Sequence, residues 1–123
     1  MAKNILICDD EPDIVNALKI YLSNPDFTFF ESSTGLQALE IIEQQDIHLV
    51  LLDIMMPKLD GLSVCRAVRK TNDIPIIFLT ALSDEEDKLL GYELGADDYI
   101  TKPFSMSVLY AKTTALIKRN QRT

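Results

Sequence analysis

Three short runs in this chain are almost continuously aliphatic: Asn4-Ile5-Leu6-Ile7-Cys8, His48-Leu49-Val50-Leu51-Leu52 and Ile74-Pro75-Ile76-Ile77-Phe78-Leu79. A strand with one wet face alternates apolar and polar residues. These runs have no polar side to offer water, so each predicts a strand of parallel sheet covered by helices on both faces. Thr28-Phe29-Phe30 and Asp98-Tyr99-Ile100-Thr101 read as two further strands. Between the strands lie stretches of helical period. Pro12 suits the first turn of a helix with Ile14, Val15, Leu18 and Leu22 on one face. Thr34 with Gln37, and Ser83 with Glu86, have capping-box spacing. The first box opens a helix with Leu36, Leu39 and Ile42 inward, the second a helix with Leu90 and Leu94 inward. Asp60 and Ser105 are the predicted N-caps of the third and fifth helices, the last placing Leu109, Leu116 and Ile117 inward. Five strands alternating with five helices predict a doubly wound α/β domain, its right-handed crossovers placing helices on both faces of one parallel sheet.

Length and charge narrow the function. At 123 residues there is room for one domain. We expect it to span residues 1–119, with 120–123 beginning a polar linker or tail. No apolar run approaches the roughly 20 residues of a membrane span, and Met1 and Lys3 lead straight into a strand, unlike a signal peptide. A net charge of -7 disfavours nucleic-acid binding by this domain itself, since only Lys118, Arg119 and Arg122 are locally basic. Cys8 and Cys65 read as small core hydrophobes, and with a single distant His48 they make no metal-ligand spacing. A reducing, cytoplasmic setting is expected.

In an open parallel sheet, ligands bind beyond the carboxyl ends of the strands. Those ends carry Asp9-Asp10-Glu11, then Asp53, then Thr80-Ala81, then Lys102-Pro103. Like unit charges about 4 Å apart cost roughly 1 kcal/mol in water and about 4 at an effective dielectric of 20. Such a cluster is tolerable around a divalent cation, and oxygen-only ligands suit Mg²⁺ or Mn²⁺. A carboxylate can also attack phosphorus and form an aspartyl phosphate. Asp53 is the expected nucleophile, because it ends the central, most hydrophobic run and no like charge adjoins it. Asp9 and Asp10 are better placed for metal, while Lys102 can neutralise a phosphoryl oxygen and Thr80 can hydrogen-bond another.

Asp9-Asp10-Glu11, Asp53 followed by Met56-Pro57 and Asp60-Gly61, Thr80-Ala81 and Lys102-Pro103-Phe104 together resemble the receiver domain of response regulators, from about Lys3 to Lys118. The resemblance implies a flavodoxin-like strand order 2-1-3-4-5 and phosphorylation of Asp53 by a sensor histidine kinase. It implies Mg²⁺ held by Asp10, Asp53 and the Met55 carbonyl, with Asp9 acting through water, and a cis bond between Lys102 and Pro103. Thr80 would move toward the phosphoryl group and Tyr99 would turn inward behind it.

The stretch from Gly95 to Phe104 is most similar to the OmpR/PhoB class, in which DNA is bound by a separate winged-helix domain. In that class phosphorylated receivers pair two-fold through the fourth helix, fifth strand and fifth helix. Lys88, Asp97, Asp98, Lys112 and Arg119 match that surface, but Val108 replaces the usual acidic partner of Lys88 and Lys112 replaces an Arg. Two other classes fit less well. A phosphatase of the haloacid dehalogenase type usually has a second Asp where this chain has Met55. A flavodoxin-like flavin protein needs a Ser/Thr/Gly-rich loop where this chain has Asp9-Asp10-Glu11.

Overall fold

The computed structural model describes residues 2–81 and 85–121, apart from the side chains of 81, 85–88 and 120–121. Five strands, β1 (Lys3–Cys8), β2 (Phe27–Ser32), β3 (Leu49–Asp53), β4 (Ile76–Ala81) and β5 (Asp98–Lys102), alternate with five helices. The helices are α1 (Pro12–Tyr21), α2 (Gly35–Gln44), α3 (Gly61–Arg69), α4 (Glu85–Glu93) and α5 (Met106–Gln121). The strands form one parallel sheet in the order β2-β1-β3-β4-β5, as expected.

The unalternating runs are explained by two separate cores. Leu6, Cys8, Val50, Leu52, Ile76 and Phe78 face one way and pack with Ala38 of α2 and Val64, Cys65 and Val68 of α3. Their immediate neighbours Ile5, Ile7, Leu49, Leu51, Ile77 and Leu79 face the other way, onto Val15 and Leu18 of α1 and Leu109, Leu116 and Ile117 of α5. Every residue of β3 is buried. Cys8 and Cys65 are buried and free, and burial pushes the Cys8 thiol up to about 12, which keeps it protonated and inert.

Most predicted caps are in place. The Ser63 amide donates to Asp60 Oδ1 at 2.8 Å and the Val108 amide to Ser105 Oγ at 3.4 Å. The Gln37 amide donates to Thr34 Oγ1 at 3.1 Å, but the Gln37 side chain accepts from Ser33 rather than from Thr34. The Ser83–Glu86 box lies outside the described residues. His48 takes a structural role, its Nδ1 accepting the Asn4 amide at 2.9 Å.

Two expectations of inward-facing leucines are corrected. Leu36 is 52% exposed and Leu90 is 38% exposed. In both helices the inward position is the glycine beside the leucine. A Cβ on Gly35 would overlap the Leu59 carbonyl oxygen, and one on Gly91 would lie 2.9 Å from the Phe78 ring. Helix contact through a bare backbone leaves no apolar residue there for a periodicity to register.

Candidate functional site

The strand run read as ending at Leu52 extends one residue further, so Asp53 is the last residue of β3; Thr80 and Lys102 likewise lie inside β4 and β5. The parallel register places Cys8 beside Leu52 and Asp53 beside Leu79, which brings the β1, β3 and β4 ends to one edge. One ligand oxygen from each of Asp9, Asp10 and Asp53 lies within 4.8 Å of the others. Asp9 and Asp53 are buried at 2% and 5% exposure, and Asp10 is exposed. Thr80 is buried at the adjoining strand end.

Lys102 enters this cluster from β5. Its Nζ donates to Asp9 Oδ2 at 2.9 Å and lies 3.6 Å from Asp53 Oδ2 and 3.7 Å from Glu11 Oε1. Burial opposes the charge on Lys102, but the Asp9 hydrogen bond and the charges of Asp53, Asp9 and Glu11 outweigh it and raise its pKa. The peptide bond from Lys102 to Pro103 is cis, as expected.

The Asp53 carboxyl is strongly perturbed. Burial and then the charge of Asp9 push it up to about 6, against the opposing pull of Lys102 and of the Met55 amide; Asp10 adds to the rise. The Met55 N–H donates to Asp53 Oδ1 at 3.2 Å and the Glu11 N–H to Asp9 Oδ1 at 2.9 Å, so backbone donors orient both buried carboxylates. The loop after Asp53 turns through Lys58 and Leu59 at φ 59° and 136°, an arrangement strained for side-chain-bearing residues. It is held behind Asp53 by the Gly61 amide, which donates to the Ile54 carbonyl at 2.9 Å. A Cβ on Gly61 would overlap the Asp53 carbonyl oxygen.

The cluster fits a hard divalent cation. Its donors are all oxygen, two of them are withdrawn from water, and the raised pKa of Asp53, due to burial first and to the charge of Asp9 second, reflects an anion that a cation would stabilise. The Met55 side chain points to solvent at 77% exposure, leaving only its backbone as a donor to the site.

Tyr99 is half-buried. The ring of Tyr92 meets it edge-on at 5.5 Å between centroids. Of the residues expected on a pairing surface, Lys112 donates to Asp98 Oδ1 at 3.1 Å and Arg119 lies 3.1 Å from Asp97 Oδ1, both within the one chain. Val108 is exposed, and the Lys88 side chain lies outside the described residues.

Nothing in the sequence singled out Arg69. It donates to the Gly95 carbonyl at 2.9 Å and the Ile74 carbonyl at 2.8 Å, and pairs with Asp97 at 3.0 Å, tying α3 to the loop before β5. Tyr92 was equally hidden. Neither has a short-range signature, because both find their partners across the fold.

The doubly wound sheet carries this acidic cluster and Lys102 at its strand ends, and residues 5–114 match the model of the response regulator receiver domain. The chain belongs to that family, the receiver module of two-component signalling systems. It is 47% identical over 117 residues to the probable transcriptional regulator ycf27 of Porphyridium aerugineum, covering 95% of this chain and 49% of that protein. It is 43% identical over 122 residues to the regulatory protein VanR of Enterococcus faecium, covering 99% and 53%. The chain thus spans about half the length of the curated relatives it matches. The receiver domain of the Francisella response regulator 1452 superposes with a TM-score of 0.88 at 34% identity, covering 96% of this chain and 98% of that one. No helix among the described residues is long and apolar enough to cross a membrane.

Proposed function

We propose that this receiver accepts a phosphoryl group on Asp53 from a sensor histidine kinase and switches its α4–β5–α5 surface to control an output, which the transcriptional relatives suggest is transcription. The observation that carries the reading is the buried Asp53 carboxylate, with Asp9 and Asp10 oxygens within 4.8 Å and the Lys102 ammonium 3.6 Å away. A general acid would make such a site turn over quickly, but Met55 occupies the place where a phosphatase would carry one. The arrangement therefore suits a phosphorylated state that persists.

Asp10, Asp53 and the Met55 carbonyl would hold Mg²⁺ or Mn²⁺, with Asp9 contributing through water. The cation supplies charge neutralisation between an anionic nucleophile and an anionic phosphoryl group. The protein's own part is to orient Asp53 through the Met55 amide, to present the Lys102 ammonium to one phosphoryl oxygen and to offer the Thr80 hydroxyl to another. A phosphoryl group can bias a conformational equilibrium only through contacts made in one state. Thr80 and Lys102 would provide those contacts, and Tyr99 would follow by turning inward.

We further infer membership of the OmpR/PhoB class, from the Gly95–Phe104 stretch and from relatives twice as long that regulate transcription. DNA would then be reached only through an output domain not included in these residues, and the setting would be the cytoplasm. The phosphorylated form would pair two-fold through Asp97, Asp98, Val108, Lys112, Arg119 and Lys88.

Intact mass after incubation with acetyl phosphate and Mg²⁺ tests the core of this reading. One added phosphoryl group is expected, lost in Asp53→Asn and in EDTA. Undiminished labelling of Asp53→Asn would remove Asp53 as the nucleophile.

A further inference from the structure

We propose that Tyr92 is a positioning residue that gates Tyr99: its ring must leave Tyr99 before Tyr99 can turn toward Thr80, so Tyr92 sets how much of the unphosphorylated protein adopts the active arrangement. The proposal rests on the reading of Tyr99 as the residue that responds to the site. The two rings meet edge to face, with centroids 5.5 Å apart and planes at 71°. The Lys112 ammonium also lies over the Tyr99 ring, 5.5 Å from its centroid, and donates to the Tyr99 carbonyl at 3.0 Å and to Asp98 Oδ1 at 3.1 Å. Tyr99 is therefore held at its backbone by Lys112, with one ring face toward that cation, while its ring meets the Tyr92 ring from α4.

The space Tyr99 would have to enter is closed. A narrow crevice runs from Tyr99 to Thr80, lined also by Ile54, Phe78, Tyr92, Ala96 and Asp98, and none of it is wide enough for a water molecule. A phenol ring is far larger than water, so turning inward requires one wall to move. Ile54, Phe78 and Thr80 are 4%, 2% and 3% exposed, and displacing them would disturb the close-packed core. Ala96 sits between Gly95, whose carbonyl accepts from Arg69 at 2.9 Å, and Asp97, which pairs with Arg69 at 3.0 Å; the Asp98 carboxylate is held by Lys112 at 3.1 Å and by the Tyr99 amide at 2.8 Å. Tyr92 differs from all of these. It is 47% exposed, its hydroxyl hydrogen-bonds Asp98 rather than a core residue, and it is carried by a helix that meets the sheet beside it through the bare backbone of Gly91. Tyr92 is the wall that can move without opening the core.

Tyrosine-ring ¹³C labelling tests the gate, with the Tyr99 signal assigned by its loss in Tyr99→Phe and beryllofluoride with Mg²⁺ as the phosphoryl mimic. Without beryllofluoride, Tyr92→Ala should move the Tyr99 signal toward its beryllofluoride-bound position. The inward population should rise about two- to tenfold, the range that an edge-to-face ring pair is worth. Tyr92→Phe, which keeps the ring, should leave the signal at its wild-type position. A Tyr99 signal unmoved by Tyr92→Ala, in a protein whose wild type does respond to beryllofluoride, overturns the gate alone. A signal moved as far by Tyr92→Phe as by Tyr92→Ala also overturns it, because the hydroxyl and not the ring would then be the holder. A wild-type Tyr99 signal indifferent to beryllofluoride, while the Asp53 and Thr80 amides shift in a ¹⁵N-labelled sample, removes the switch reading and the gate with it.

Discussion

Replacing the proposed phosphoacceptor should make the resting domain more stable. Asp53 is 5% exposed and its carboxyl is pushed from 3.8 to about 6, by burial first and by Asp9 second. Between those two values the folded chain binds more protons than the unfolded one, so stability falls as pH rises through the window. The penalty is absent below the unfolded value, grows through the window and is complete above about pH 6. A carboxyl raised this far costs the folded state about 3 kcal/mol at pH 7.5 and about 1 kcal/mol at pH 4.5. Asn removes the charge and keeps an oxygen for the Met55 amide, so Asp53→Asn should be the more stable protein by about those amounts. With a urea slope of about 1.5 kcal/mol per molar, the midpoint at pH 7.5 should rise by about 2 M. Urea titrations followed by circular dichroism, in EDTA at both pH values, give the comparison directly. Mg²⁺ should then narrow the gap, because a cation that binds only the folded state stabilises most strongly the protein with the complete carboxylate set. An Asn variant no more stable than wild type at pH 7.5 in EDTA, or an advantage undiminished at pH 4.5, would refute the electrostatic account of this site.

Other expectations follow from neighbouring geometry. Thr80→Ala should still accept phosphate from acetyl phosphate, yet show smaller NMR shifts around Tyr99; wild-type-sized shifts would sever the proposed coupling. Gly61→Ala should destabilise the domain by about 2 kcal/mol or more, because its Cβ has nowhere to go but the Asp53 carbonyl, and thermal melts would expose a neutral substitution. The beryllofluoride form should dimerise weakly and in a salt-sensitive way, since Lys112 with Asp98 and Arg119 with Asp97 must exchange pairs already made within the chain. Val108→Glu should tighten that dimer and Lys112→Glu loosen it, measured by light scattering over a concentration series. A complex that stays monomeric at high concentration assigns the surface another task.

Much of this protein was legible before folding was considered. Unalternating aliphatic runs can be satisfied only by burial on both faces, and a parallel sheet then carries Asp9, Asp10, Asp53, Thr80 and Lys102 to one edge whatever the details of packing. Local chemistry likewise settled the caps at Thr34, Asp60 and Ser105, because an N-cap finds its donor three residues away. What remained hidden depends on groups far apart in the chain. Leu36 and Leu90 were expected inward, but Gly35 and Gly91 take the inner positions, and a missing side chain leaves no mark in an apolar period. Lys102 was expected at the phosphoryl group, yet in the resting fold its shortest contact is with Asp9, a choice made by how β5 lies against β1 across the edge. Arg69 and Tyr92 carry no motif, because a guanidinium or a ring acquires a role only from the loop or side chain that tertiary packing sets against it. The acid and base chemistry of this protein was therefore decided by residue type and strand ends, whereas its pKa values, its clamps and the closed crevice beside Tyr99 were decided by burial and distance.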